Sequence, residues 1–341
     1  MNLQKAESIM EGTATVVKHT GSHYLLAQLP SWRLFPAVLR GKVRLGGSSA
    51  TNPVAVGDRV EFHADGDLLP DGSVPASETA PAAITRILPR RNYIIRKSVN
   101  LSRQAHIIAA NVDHAFIVVT LAFPEVKLPF IDRLLVTCEV YGVKPVIVLN
   151  KIDIVDEFRD DFAPALENFR RIYEGAGYSI LEVSAKTGRG VDELRRLCLE
   201  KSEDGAPGIS LFSGVSGVGK SSLIKAMDPS LNPKTGLISE AHLQGRHTTT
   251  FYEMYPLCGG EGCIIDTPGI RGFGLVDLEP EEISLYFPEM LKAASGCRFT
   301  PCTHTHEPGC AVKVAVDDGT ISRERYASYL GMLEEYTKYR K

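Results

Sequence analysis

A glycine-rich loop at residues 214–221 (GVSGVGKS) constrains the fold of this chain more than any other sequence feature. It follows the short apolar run Ile209–Ser213, and residues 221–227 after it favour a helix. A strand that passes through such a loop into a helix binds phosphate, because the backbone N–H groups and the helix N-terminus face the anion. The alternative is an ordinary Gly/Ser-rich turn, but both the spacing and the context match the phosphate loop. We therefore expect an α/β domain that binds a nucleotide.

The loop also predicts how the phosphates and a metal ion are held. The Lys220 side chain can reach the β- and γ-phosphates, and the Ser221 hydroxyl can bind Mg²⁺. Mg²⁺ is therefore the expected cofactor of the nucleotide. The residues expected around the phosphates are Gly214, Val215, Ser216, Gly217, Val218, Gly219, Lys220, Ser221 and Ser222.

The tetrapeptide Asn-Lys-Ile-Asp at residues 150–153 indicates the base. It follows the apolar run 146–149, which predicts a buried parallel strand, and open α/β sheets bind ligands at the carboxyl ends of such strands. The Asp153 carboxylate can accept hydrogen bonds from the N1–H and 2-amino groups of guanine, which adenine does not offer. A lone tetrapeptide of this kind is more often an ordinary loop. The expected base contacts here are Asn150, Lys151, Ile152 and Asp153.

Two further turns, each directly after an apolar run, favour the same interpretation. Residues 184–188 (SAKTG) form the kind of loop that gives a backbone N–H group to guanine O6 in GTPases. In residues 266–269 (DTPG), we expect Asp266 to hold Mg²⁺ and the Gly269 N–H group to meet the γ-phosphate. Each turn alone has an ordinary structural explanation, but the combination is hard to obtain by accident. The second loop adds Ser184, Ala185 and Lys186 to the expected base contacts.

The order of these motifs is inverted relative to ordinary GTPases. Residues 150–153 precede the phosphate loop, whereas the corresponding tetrapeptide normally follows it. With this order the chain resembles the circularly permuted GTPases, and among them the RsgA family of small-ribosomal-subunit biogenesis GTPases. The resemblance covers nearly the whole chain and also rests on residues 245–250 (GRHTTT) and a Cys/His cluster near the carboxyl end. It implies a GTPase that assists late assembly of the small (30S) subunit, converts GTP to GDP and phosphate, and is stimulated by that subunit.

The fold class expected from these features is multidomain. Short alternating runs between about residues 12 and 92 predict a small antiparallel β-barrel, and the resemblance implies that it is an OB fold. Strands and helices then alternate, which predicts a central α/β P-loop GTPase domain in permuted order. A zinc-binding module with helices completes the chain. We place the domains at residues 1–95, 96–278 and 279–341.

The charge of the barrel region favours RNA as a partner. The whole chain carries a net charge of −3, but residues 1–100 contain twelve Lys and Arg against eight Asp and Glu, an excess of four positive charges. A basic surface with aromatic side chains can neutralise phosphates and stack bases. The alternative is a solvated barrel rim over core aromatics. The resemblance favours ribosomal RNA, and the expected contacts are Arg90, Arg91, Arg96 and Lys97.

The residue that usually orients the attacking water is absent from its place. Many GTPases carry a Gln directly after the Asp-x-x-Gly turn, where this chain has Ile270. An apolar side chain cannot hydrogen-bond the water, so we expect slow intrinsic hydrolysis and activation by a partner. His247 is the candidate catalytic residue beside Lys220, although an exposed loop histidine explains it equally well. The expected magnesium ligands are Ser221, Asp266 and one of Thr249 and Thr250.

Three of the seven cysteines crowd the carboxyl-terminal region. They are Cys297, Cys302 and Cys310, and His304 and His306 lie among them. Three thiolates and one imidazole suffice for one structural, tetrahedral Zn²⁺. The residues alone do not choose between the histidines, and a cluster of reduced cysteines is the alternative. The resemblance implies Cys297, Cys302, His304 and Cys310 as the ligands.

Two other functions compete with this interpretation. A P-loop ATPase or nucleotide kinase would share the phosphate loop but not Asn150 and Asp153. An RNA-binding protein that uses GTP mainly as a structural or regulatory ligand would account for Ile270. We see no apolar stretch long enough to span a membrane and no signal peptide, so we expect a cytoplasmic monomer without a membrane partner.

Overall fold

The computed structural model describes residues 9–40, 54–97, 105–231, 252–266 and 278–339. Their strands are β1 (Ile9–Thr20), β2 (His23–Gln28), β3 (Arg33–Leu39), β4 (Arg59–Asp65), β5 (Ala82–Ile87), β6 (Tyr93–Lys97), β7 (Ala105–Ala110), β8 (His114–Val119), β9 (Lys144–Leu149), β10 (Ile180–Glu182), β11 (Ile209–Ser213), β12 (Glu253–Leu257) and β13 (Gly262–Asp266). Their helices are α1 (Leu128–Tyr141), α2 (Ile152–Glu157), α3 (Arg159–Gly175), α4 (Val191–Cys198), α5 (Lys220–Met227), α6 (Pro288–Ala294), α7 (Ala311–Asp317) and α8 (Arg323–Tyr339). Cys258–Gly260 and Pro280–Tyr286 form 3₁₀ segments.

The described residues form two compact units. The first contains the strands β1–β7, the hairpin β12–β13 and the segment Arg196–Leu211. The second contains the strands β8–β10, the phosphate loop and the helices α1–α3 and α5–α8. Among the described helices, we find none with the length and apolar character of a membrane span.

The first five strands close into a β-barrel. β1 pairs with β2 and β4, β3 pairs with β2 and β5, and β5 pairs with β4. The β3–β5 pairing is parallel, with Ala37 opposite Ala82, and the other pairings are antiparallel. Closure pairs both long edges of the barrel sheet with protein strands, which protects them from other chains. The barrel expected from the alternating runs is confirmed, and its core includes Val16, Leu26, Phe35, Phe62 and Ile84.

Strand β1 also belongs to a second set of pairings. Lys18 lies opposite Glu253 of β12, and the Lys18 amino group and the Glu253 carboxylate form an ion pair of 2.9 Å. β12 pairs in turn with β13, which ends at Asp266. The strand order in this unit is β13-β12-β1-β2-β3-β5-β4. Strand β1 therefore pairs both with strands of the barrel and with the hairpin β12–β13, which ends at the expected γ-phosphate turn.

Strands β8, β9 and β10 form a parallel sheet in the second unit. Every residue of β8 is buried, as expected for a strand covered on both faces. In register, Phe116 lies opposite Val146 and Ile147 opposite Ile180. Parallel strands bring their carboxyl ends to one edge of the sheet, so the loops after β9 and β10 lie side by side. The predicted α/β architecture is confirmed.

The C-terminal helices share a hydrophobic core with α1. Val136 of α1 packs in the same cluster as Phe287, Met290 and Val312. α8 contributes one stripe of side chains to this core. The stripe comprises the fully buried Tyr329 and the partly buried Tyr326, Leu330 and Leu333.

A fully buried guanidinium joins α8 to α1 and α6. Arg325 Nη1 donates to Asp132 Oδ1 at 2.9 Å, and Arg325 Nε donates to Glu289 Oε1 at 2.8 Å. The Arg325 guanidinium also lies 4.6 Å from the centre of the Phe287 ring, within the range of a cation–π contact. Burial opposes its charge, but the two carboxylates outweigh burial and raise the pKa of Arg325. The Arg325 charge is therefore retained inside the protein, although burial also raises the pKa of its partner Asp132.

We expect Arg325→Ala to destabilise the protein by about 3–5 kcal/mol, because it leaves the Asp132 carboxylate buried without its partner. Arg133→Ala is the matched control, since Arg133 pairs with Glu335 across the same two helices but at the exposed surface. The control should cost at most about 1 kcal/mol. Denaturant unfolding of both variants measures the difference. Equal, small losses would contradict a structural role for the buried pair.

Candidate functional site

The side chain of Asn150 connects the loops that were expected to bind the nucleotide. It follows β9 directly and is almost completely buried. Its Nδ2 donates to the Val218 carbonyl of the phosphate loop at 2.7 Å, and its Oδ1 accepts the Ala185 N–H group at 3.3 Å. One amide therefore holds together the tetrapeptide, the phosphate loop and the Ser-Ala-Lys loop.

The carboxylate of Asp153 is fixed beside this amide. Asp153 lies in the first turn of α2, and its Oδ1 accepts the Ser184 hydroxyl at 2.6 Å. Lys186 approaches Oδ2 at 3.9 Å. The Ser184 Oγ atom also accepts the Thr187 N–H group at 3.1 Å, which tightens the loop. The carboxylate is thereby held at the carboxyl edge of the sheet, where a base can approach it.

The phosphate loop depends on glycines where other chain atoms come close. A Cβ at Gly214 would lie 2.3 Å from the Val118 carbonyl oxygen, and a Cβ at Gly219 would lie 2.4 Å from Asn150 Nδ2. Gly219 also has a φ of +94°, which side chains rarely adopt. The Lys220 amino group donates to the Gly214 carbonyl at 2.7 Å, so it lies across the mouth of the loop. Ser221 and Ser222 follow in the first turn of α5.

The sequence did not single out the segment after β8 that supports this site. The Lys151 amino group donates to the Phe123 carbonyl, so the tetrapeptide is tied to this segment. Pro124 packs on Gly217 of the phosphate loop, where a Cβ would lie 3.4 Å from Pro124 Cδ. Phe123 has a φ of +52° and its side chain is 72% exposed. No motif marks these residues, and only the proline signals a fixed turn.

Several expected site residues lie outside the described part of the chain. These are His247, Thr249, Thr250 and Gly269, and also Ile270. The backbone of Asp266 is described as the end of β13, but its side chain is not. The expected magnesium ligands are therefore described only at Ser221. Their roles stay predictions.

Arg90, one of the expected RNA contacts, is paired with a buried carboxylate, and its role in RNA binding stays a prediction. Arg90 Nε and Nη2 donate to the two oxygens of the buried Asp58 carboxylate at 2.6 and 2.7 Å. Because this bidentate pair satisfies the guanidinium, Arg90 has a structural role. Arg91 is one-third exposed and pairs with Asp113 at 2.8 Å. The side chains of Arg96 and Lys97 lie outside the described residues.

Four residues near the carboxyl end form a candidate metal centre. The ligand atoms of Cys297, Cys302, His304 and Cys310 lie within 4.8 Å of one another. His304 Nδ1 is 3.3 Å from the Cys310 sulfur, and the Cys297 and Cys310 sulfurs are 3.9 Å apart. Tetrahedral Zn²⁺ with Zn–S bonds of about 2.3 Å places its sulfurs about 3.8 Å apart. The donor set therefore fits zinc in both chemistry and spacing.

The surroundings of the centre also distinguish the two histidines. His304 is buried, and burial lowers the pKa of its imidazole, which favours the neutral form that binds metals. Burial, together with the neighbouring Cys297 and Cys310 sulfurs, raises the pKa of the Cys302 thiol to about 12. His306 is exposed, and its Nδ1 lies 2.9 Å from the Thr305 hydroxyl. His304 is thus the histidine that lies in the cluster.

The sequence comparisons agree with this geometry. The profile of the family described as RsgA GTPase matches residues 87–276. A relative from Flavobacterium johnsoniae, the small ribosomal subunit biogenesis GTPase RsgA, is 45% identical over 322 residues, which cover 94% of this chain and 93% of the relative. The protein of the same name from Bacteroides fragilis is 46% identical over 327 residues, which cover 95% and 98%.

Solved structures show the same fold. The crystal structure of YjeQ from Thermotoga maritima matches with a TM-score of 0.70 and 33% identity, and covers 96% of this chain and 98% of its own. The structure of YloQ, a circularly permuted GTPase, matches with a TM-score of 0.67 and 25% identity, and covers 100% and 99%. With the inverted motif order and a relative this similar over nearly its full length, the chain belongs to the RsgA family of GTPases.

Proposed function

We propose that this chain binds the small (30S) ribosomal subunit, assists its late assembly, and hydrolyses GTP to GDP and phosphate when the subunit stimulates it. The observation that carries the proposal is Asn150, whose amide joins a guanine-reading loop to a phosphate loop. The names of the relatives, small ribosomal subunit biogenesis GTPases, give the partner. The fixed Asp153 carboxylate argues against an ATPase or nucleotide kinase that binds adenine, because adenine has no N1–H and 2-amino groups to donate to it.

In this proposal the nucleotide lies across the carboxyl edge of the parallel sheet. Asp153 reads the N1–H and 2-amino groups of guanine, and the Ala185 N–H group faces O6. The loop of residues 214–219 and Lys220 bind the phosphates, and Mg²⁺ is held by Ser221 with Asp266 and Thr249 or Thr250. The proposed contacts with the guanine base are Asn150, Lys151, Ile152, Asp153, Ser184, Ala185 and Lys186.

Hydrolysis then depends on the partner. With Ile270 after the Asp-x-x-Gly turn, no side chain at the usual position can orient water. His247, in the segment 245–250, is the residue that we assign to this task on the bound subunit. Binding of GTP favours the subunit-bound form, and hydrolysis favours release.

The barrel and the zinc module are the proposed binding arms. Arg90, Arg91, Arg96 and Lys97 are the proposed contacts with ribosomal RNA, and Arg90 and Arg91 also pair with Asp58 and Asp113 within the protein. We retain residues 1–95, 96–278 and 279–341 as the functional divisions and one structural Zn²⁺ at the Cys/His centre. A cytoplasmic monomer is the form in which the chain would meet the subunit.

The central test is GTP hydrolysis with small subunits, with large subunits and without subunits. We expect slow turnover alone and stimulation by the small subunit only. GTP binding without turnover in all three mixtures would instead support the alternative, an RNA-binding protein that uses GTP as a structural or regulatory ligand. Stimulation by the large subunit would contradict the proposed partner.

His247→Ala should lower the subunit-stimulated rate by about 10²–10⁴-fold, the usual contribution of a positioned acid–base group. The affinity for GTP should stay unchanged, because the proposed role concerns only the attacking water. Single-turnover kinetics on the bound subunit measure the rate, and equilibrium binding supplies the control. A variant with the full stimulated rate would remove His247 from the mechanism.

Asp153→Asn should weaken GDP binding by about 10–100-fold, since the amide cannot accept both guanine donors. It should bind xanthosine diphosphate better than the wild type does, because the amide N–H can donate to the 2-oxo group of xanthine. Asp156→Asn is the control, since Asp156 is half-exposed on the same helix and pairs with Arg189. Competition between the two nucleotides measures both effects. Unchanged base preference in Asp153→Asn would rule out the assigned role.

A further inference from the structure

The zinc loop holds His304 in an unfavourable backbone conformation. His304 has a φ of +56°, a left-handed value that non-glycine residues seldom adopt. Such residues persist only where the surroundings fix them. The groups that fix His304 therefore matter for any function of its imidazole.

One carboxylate fixes the residues on both sides of His304. Glu307 Oε1 accepts the Thr303 N–H group at 2.7 Å and the Thr303 hydroxyl at 2.6 Å. Glu307 Oε2 accepts the Thr305 N–H group at 3.0 Å. Because its two oxygens accept backbone N–H groups on either side of His304, the Glu307 side chain fixes the conformation of the loop.

Two tyrosines of α8 fix the carbonyl groups of the same loop. The Tyr329 hydroxyl donates to the Thr303 carbonyl at 2.5 Å, and the Tyr326 hydroxyl donates to the His304 carbonyl at 2.6 Å. Tyr329 is fully buried, and its ring meets the His304 ring edge-on at 6.4 Å. The peptide groups around His304 are thus held from two directions, by Glu307 and by α8.

We propose that Glu307, Tyr326 and Tyr329 are positioning residues that preorganise His304 for zinc, although none of them is a ligand. They hold the strained backbone in place before the metal arrives. Less conformational entropy is therefore lost when the metal binds. The inference rests on the proposed zinc site, and the experiment separates the two. Groups that orient metal ligands typically contribute about 10–100-fold to metal affinity.

The experiment measures zinc affinity of the full chain by competition with a chromophoric chelator. Glu307→Ala should bind zinc about 10–100-fold more weakly than the wild type. Glu307→Gln keeps one acceptor oxygen and should recover part of the affinity. Tyr326→Phe removes only a hydroxyl group and should weaken binding without disturbing the core. His306→Ala is the control and should bind zinc as the wild type does.

Cobalt substitution supplies a second readout. Co²⁺ in the wild type and in Glu307→Ala should show different ligand-field absorption, because His304 would no longer be held in the same orientation. Wild-type affinity and spectra in both Glu307→Ala and Tyr326→Phe would overturn the inference. If the wild type itself bound no zinc, or if Cys302→Ser bound it equally well, the zinc site would fail instead.

Discussion

The buried amide of Asn150 is the interaction on which the candidate site depends. A carboxamide offers both a donor and an acceptor, and here each is used by a different loop, at Val218 and at Ala185. An aspartate could not donate, and an apolar residue would leave both backbone groups without this partner. The close approach of its Nδ2 to Gly219 also explains why the loop needs glycine there. The sheet supplies the position, and the amide supplies the relative arrangement of the loops.

Much of this architecture was predictable from local sequence. Apolar runs ending in characteristic turns gave the parallel sheet and its loops, and alternating runs gave the barrel. What the sequence did not show concerns partners distant in sequence. Arg90 looked like a surface cation because Asp58 is far away in the chain, although it binds that carboxylate bidentately. No sequence motif marks the hydrogen bond from the Lys151 amino group to Phe123, because the acceptor is only a backbone carbonyl. Pairing of this kind depends on the folded chain and cannot be read from spacing.

The C-terminal region is integrated with α1 more closely than a separate zinc module would be. Arg325 places a charge inside the protein where Asp132 and Glu289 pair with it, so α8 cannot leave α1 without exposing or abandoning buried ions. The next residue, Tyr326, and Tyr329 one turn further along both reach the zinc loop. The helix α8 therefore contacts both α1 and the zinc loop. Their relative positions are set by buried contacts and not by a linker.

The position of Asn150 has a consequence for how the chain is made. Both of its partners, Ala185 and Val218, lie downstream, so Asn150 is synthesised before either partner. The base-reading loops therefore emerge before the phosphate loop, to which Asn150 must still be joined. A nucleotide stabilises only the folded form that binds it, so it can assist folding of this domain only once residues 214–221 have emerged. Circular permutation thus changes the stage of translation at which the ligand can first act on its own binding domain.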